Sequence, residues 1–154
     1  MIFDLNQQKQ DNHTLEYDFA IIGAGPAGLT LANKLSDSNL RIFVAEGGNE
    51  QFSLESSNIY QGKVYGDPYY DLRASRLRFL GGTSNHWTGY CRTLDEHDFK
   101  FKPDFPLASW PITKKELDPY LKEACDIVEI SSKFEDKYLD NRHGIKSFNF
   151  NFSP

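Results

Sequence analysis

The sequence predicts an α/β fold built on one strand-helix-strand unit with parallel strands, and three features predict it. Residues 17–22 close with the apolar run Phe19-Ala20-Ile21-Ile22, residues 27–35 carry apolar side chains at helical spacing, and residues 41–45 form a second strand-like run. Between the first run and the helix lies Gly23-Ala24-Gly25-Pro26-Ala27-Gly28, a glycine-rich turn.

Each element has its own justification. Residues 1–16 are polar and aperiodic, as in a flexible lead-in. The first strand lacks alternation, so it is expected to be covered on both faces. In the helix, Ala27, Leu31, Ala32 and Leu35 share one face, and Ser36 to Leu40 close it as a loop. The crossover into the second strand, beginning at Arg41, should be right-handed. Residues 51–73 are rich in Tyr, Ser, Gly and Pro and read as irregular. Leu77 to Leu80 is a short apolar patch leading into Gly81-Gly82, and residues 83–92 read as a strand or extended strip. Thr113-Lys114-Lys115-Glu116 fits a capping box. Asp118-Pro119 reads as an N-cap with Pro at the first helical position, so a helix is expected from Pro119 to about Val128, burying Leu121, Ala124, Cys125 and Val128. Near the end, Phe148, Phe150 and Phe152 alternate with Asn149 and Asn151 at the period of a strand, with no later sequence to cover or pair with them. Two parallel strands are also fewer than a doubly wound sheet uses. Residues 17–154 are therefore expected to be an incomplete domain, the N-terminal part of a larger protein.

Composition excludes several functions. Lys and Arg number 17 against 22 Asp and Glu, a net charge of -5, which offers nothing general to nucleic acid or an anionic membrane. No apolar run is long enough to span a membrane, and the N-terminus lacks the apolar core of a signal peptide, so a cytoplasmic location is expected. Cys91 and Cys125 stand far apart and outside any C-x-x-C pattern, which indicates neither a disulfide framework nor a zinc site; two buried thiols are expected. His13, His97 and His143 have no neighbours at ligand or triad spacing, so no metal site is expected.

The glycine run is a G-x-G-x-x-G fingerprint placed where its mechanism requires, after a buried strand and opening a helix. Gly23 permits the tight turn, Gly25 lets the backbone approach a pyrophosphate, and Gly28 allows close packing of helix on strand. Pro26 and Ala27 open the helix, whose free N–H groups favour phosphate. Glu46 ends the second strand, about 20 residues past the glycines, where a carboxylate can accept hydrogen bonds from a ribose diol and repel a 2'-phosphate. These features describe a Rossmann-like unit for an ADP-containing cofactor. They do not separate FAD from NAD.

A second signal comes from Arg76-Leu77-Arg78-Phe79-Leu80-Gly81-Gly82-Thr83-Ser84-Asn85-His86-Trp87, where paired glycines again permit close approach to a ligand. With the opening fingerprint, the Glu46-Gly47-Gly48 strand end and Trp110-Pro111-Ile112 before Glu116-Leu117, it makes the chain resemble the glucose-methanol-choline (GMC) family of FAD-dependent oxidoreductases over most of residues 17–130. The Gly-Gly-x-Ser-x-His-Trp turn looks most like the branch containing pyranose 2-oxidase and related sugar dehydrogenases. The resemblance implies FAD as cofactor, held by Gly23, Gly25, Pro26, Ala27, Gly28, Glu46 and Gly47 at its ADP half. Gly81, Gly82, Thr83, Asn85 and His86 would sit by the flavin, and His86 corresponds to a histidine that in this branch bonds the flavin 8α-methyl carbon. It further implies hydride transfer from a CH–OH group of a sugar or other alcohol to the flavin, an electron acceptor, and a catalytic base in a C-terminal half that this chain does not contain. Arg76 and Arg78 read either as phosphate or flavin contacts or as a solvated strip. Two alternatives stay open: an NAD-binding dehydrogenase module, and a non-catalytic split-gene fragment needing a partner chain.

Overall fold

The computed structural model describes residues 2–5, 7, 14–134, 137–140, 145–147 and 150–154. Two compact units are present, Met1–Trp87 and Thr88–Pro154. The architecture is mixed α/β with small sheets.

In the first unit, strand β1 (Phe19–Ile22) pairs in parallel with β2 (Ile42–Ala45), from Phe19 opposite Ile42 to Ile22 opposite Ala45. Helix α1 (Pro26–Leu35) connects them. A clamp fixes the register at its open end. The Asp18 carboxylate accepts from Arg41 N–H at 2.8 Å, Nε at 3.1 Å and Nη2 at 3.1 Å, while Arg41 C=O accepts from the Asp18 N–H at 2.9 Å. β1 is not covered on both faces as its unbroken apolar run suggests. Side chains alternate across a strand, so Ile21 turns towards α1 and is 6% exposed, while Ile22 turns away and is 82% exposed. The sheltered stripe of α1 is also shifted: Gly28, Ala32 and Leu35 are half-buried, whereas Ala27 and Leu31 are exposed.

The stretch expected to be irregular contains two short helices, α2 (Leu54–Ser57), continued by a 3-10 turn over Asn58–Tyr60, and α3 (Leu72–Ser75). Serine and aspartate caps explain them. Ser53 Oγ accepts from Ser56 N–H at 3.1 Å, and Asp71 Oδ1 from Arg73 N–H at 2.8 Å.

The second unit holds β3 (Tyr90–Cys91), helix α4 (Lys114–Ile127), β4 (Lys137–Asp140), β5 (Ile145–Ser147) and β6 (Asn151–Phe152). α4 begins five residues earlier than the Asp118-Pro119 reading. Glu116 Oε2 accepts from the Thr113 N–H and hydroxyl, each at 2.8 Å, so the capping box, not Asp118, starts the helix. Pro119 lies inside it at the cost of one hydrogen bond. Of the expected buried face, Cys125 is buried, Leu121 and Val128 are half-buried, and Ala124 is exposed. β6 does find a partner: it pairs antiparallel with β3, and Tyr90 packs against Phe152 and Phe150 at ring separations of 4.5 and 6.1 Å. Phe148 and Asn149 lie outside the described residues, as do His13 and His143. β4 and β5 form a separate antiparallel pair.

Both cysteines are free thiols; Cys125 is buried, but Cys91 is half-buried. Among the described residues the buried apolar side chains are Ile21, Ala24 and Cys125. No helix among them is long and apolar enough to cross a membrane.

Candidate functional site

The site forms in the first unit where two glycine bends meet. β1 gives way at Gly23, whose φ of +98° suits a residue without Cβ and whose N–H donates to Ala45 C=O at 2.7 Å. Ala24, 2% exposed, follows. Gly25 is the extended N-cap of α1, with φ -83° and ψ -175°. This end of α1 has neither a side-chain cap nor an acidic residue in its first turn, and the N–H groups of Gly25, Ala27 and Gly28 have no hydrogen-bond partner among the described residues. A Cβ on Gly25 would meet nothing within 4 Å, so the turn opens onto free space there. A Cβ on Gly28 would lie 2.0 Å from Gly23 O and 3.2 Å from Ile21 Cγ2. Helix and strand therefore approach as closely as a bare backbone allows.

The second bend carries Gly81 at φ +91° and Gly82 at φ +61°, then a 3-10 turn over Gly82–His86 in place of the first part of the strip expected over residues 83–92. Two consecutive left-handed residues reverse the chain, and the extended part of this stretch is confined to β3 (Tyr90–Cys91). Side chains knit the bend: Asn85 Nδ2 donates to Leu80 and Gly82 C=O at 2.9 Å each, Ser84 Oγ donates to Gly81 C=O at 2.7 Å, and Thr83 Oγ1 accepts from Leu77 N–H at 3.2 Å. Thr83 and Asn85 thus serve the turn itself. His86 is exposed, and its side chain has no hydrogen-bond partner among the described residues.

The two bends touch. Gly81 N–H donates to Ala24 C=O at 2.9 Å, and a Cβ on Gly82 would lie 3.5 Å from Gly25 Cα. Glu46, half-buried at the end of β2, ties in a third strand of backbone: Oε2 accepts from Ala24 N–H and Oε1 from Gly48 N–H, both at 2.8 Å. A carboxylate has about four lone-pair sites, so each oxygen keeps further acceptor capacity.

Gly48 is required by close approach as well, since a Cβ there would sit 2.2 Å from Arg78 O. Asn49 and Phe79 form a parallel bridge, and Leu80 N–H donates to Asn49 C=O at 3.0 Å. Arg78 lies along this contact. Its Nη1 donates to Ser56 Oγ at 2.8 Å, and Ser56 Oγ donates back to Arg78 C=O at 3.1 Å.

Of the residues singled out in the sequence, Glu46 and Gly81 are hydrogen-bonded to Ala24, Gly82 approaches Gly25, Gly28 packs against Gly23, and Gly47 lies against Arg78. Arg76 is exposed at the end of α3, whereas Arg78 is half-buried, and Ser56 was not foreseen. The one sequence signal for the Arg78 contact is the pair Gly47-Gly48, which requires something close beside it. No group of His, Cys, Asp and Glu among the described residues could hold a metal ion.

No family model matches the chain. Over 76 residues it is 38% identical to a protein of Armillaria gallica named as a dehydrogenase; the match covers 42% of this chain and 12% of that protein. The chain spans about an eighth of the length of this relative, and over that stretch it is similar to a dehydrogenase.

Proposed function

We propose that this chain is the FAD-binding portion of a GMC-type oxidoreductase that oxidises a CH–OH group of a sugar or other alcohol. The observation that carries the reading is the 2.9 Å hydrogen bond from Gly81 N–H to Ala24 C=O, which joins the two glycine bends backbone to backbone. Oxidoreductase chemistry in general is supported by the similarity to a dehydrogenase.

The residues fit an ADP-containing group. Open space at Gly25 and the partnerless N–H groups of Gly25, Ala27 and Gly28 suit a pyrophosphate at a helix N-terminus. Glu46, already oriented by two backbone N–H groups, would accept from the ribose hydroxyls and disfavour a 2'-phosphate. From the open space at Gly25 the ligand would continue past Gly82, which packs beside Gly25, towards Thr83, Asn85 and His86 at the flavin end. FAD, when bound, supplies the hydride acceptor. This chain's own residues grip the diphosphate, orient the ribose and border the ring.

Titrating the purified chain with FAD and, separately, with NAD tests the reading. Saturable flavin binding with no comparable NAD binding is expected. Preference for NAD would favour a nicotinamide-dependent module, and binding of neither would remove the cofactor role. Acid denaturation of the flavin-loaded protein adds the covalent question: yellow colour that stays with the polypeptide, and is lost in His86→Ala, assigns the link to His86.

A further inference from the structure

Arg78 is held in an unusual way for a surface cation. Its side chain and its own carbonyl are both bonded to the Ser56 hydroxyl, which ties the guanidinium back onto α2. The guanidinium lies close against Gly47, nearest through Nη2: a Cβ on Gly47 would be 2.6 Å from Nη2, 3.1 Å from Cζ and 3.2 Å from Nε. The Arg78 carbonyl lies closer still to Gly48, 2.2 Å from a Cβ placed there. One residue therefore covers both glycines that follow Glu46. Gly48 N–H is in turn a hydrogen bond that orients the Glu46 carboxylate. Arg78, Gly48 and Glu46 form a chain of contacts ending at the group proposed to read the ribose.

We infer that Arg78, locked by Ser56, is a positioning residue that holds the Gly47-Gly48 backbone so that Glu46 discriminates the 2'-hydroxyl of an adenosine ligand. The inference rests on the ribose role of Glu46 proposed above. A planar, always-charged guanidinium suits the task. One of its nitrogens can press against a glycine while another donates to a hydroxyl, which the single nitrogen of a lysine ammonium cannot reproduce.

The test compares ADP with 2'-deoxy-ADP as probes, by calorimetry on the full chain. The wild type should bind ADP about tenfold more tightly, the worth of one hydrogen bond to a charged acceptor. Arg78→Lys and Ser56→Ala, the milder variants, should lose most of that preference by weakening ADP while leaving 2'-deoxy-ADP nearly unchanged. Arg78→Ala should lose all of it. A purely structural role would weaken both ligands alike, and that result overturns the inference. So does an unchanged preference in all three variants, with the ribose role of Glu46 left standing. If wild-type protein binds ADP without preferring it over 2'-deoxy-ADP, or does not bind it, the reading of Glu46 falls, and the inference with it.

Discussion

Glu46 Oε2 accepts the Ala24 N–H at 2.8 Å across 22 positions of sequence, so the acid at the end of β2 holds the glycine turn at the end of β1. The same carboxylate accepts from Gly48 N–H, and through it the two strand ends act as one element. Glu46→Ala is therefore expected to cost stability as well as ligand binding. The N–H groups of buried Ala24 and half-buried Gly48 lose a charged acceptor, worth about 1.5–3 kcal/mol for each bond before water replaces it. Urea unfolding of the variant should show a midpoint clearly below that of the wild type.

Gly28→Ala should be among the most destabilising single changes in the first unit. The new methyl would meet Gly23 O at 2.0 Å, and backbone cannot swing aside as a flexible side chain could. Overpacking of this kind typically costs about 1–3 kcal/mol, and a contact on rigid backbone belongs at the upper end. The loss is read as a fall in the thermal or urea midpoint.

Acid should weaken the sheet clamp. The side-chain hydrogen bond from Arg41, aided by its backbone N–H, holds the Asp18 carboxyl below its ordinary value of 3.8. A folded-state value below the unfolded one means that the stabilisation is complete above the unfolded value and disappears as pH falls through the folded one. Glu116 behaves in the same sense, lowered from 4.5 by the Thr113 N–H and hydroxyl. The urea midpoint should therefore hold steady from neutral pH down to about pH 5 and drop below pH 4. Asp18→Asn should make that drop shallower; an equally steep drop would show that the clamp does not contribute.

The two thiols should differ in reactivity. Burial pushes the Cys125 thiol up, with the nearby Asp126 carboxylate acting in the same direction, whereas Cys91 is half-buried. The thiolate is the reactive form. A thiol reagent at neutral pH should label Cys91 first and reach Cys125 at a comparable rate after unfolding, as mass spectrometry of the labelled peptides would record.

The parts of the structure legible in the sequence were those set by neighbours in the chain. The apolar runs around Ile21 and Val44 announced parallel strands, and Thr113 with Glu116 announced a helix start. Pro119 misled because a proline suits the first turn of a helix but is also tolerated slightly further in when a capping box has already started it. Residues 83–92 are extended only in part, at β3 (Tyr90–Cys91), because Ser84 and Asn85 bond back to Gly81, Leu80 and Gly82 and close a 3-10 turn that has no signature in composition. In the site, the glycines and Glu46 were visible as a spacing. Ser56 and the brace it gives Arg78 were not, since a contact 22 positions apart has no periodic signature.

Gly25 offers the most direct measurement of the central claim, that the joined glycine bends cradle an ADP-containing cofactor. Its backbone, at φ -83°, accepts alanine without strain, and the added methyl would point into open space, so folding should be untouched. That same space is where the pyrophosphate is proposed to lie. FAD affinity of Gly25→Ala should therefore fall by roughly tenfold or more while its unfolding midpoint matches the wild type. Undiminished FAD affinity in a normally folded Gly25→Ala protein would contradict the account.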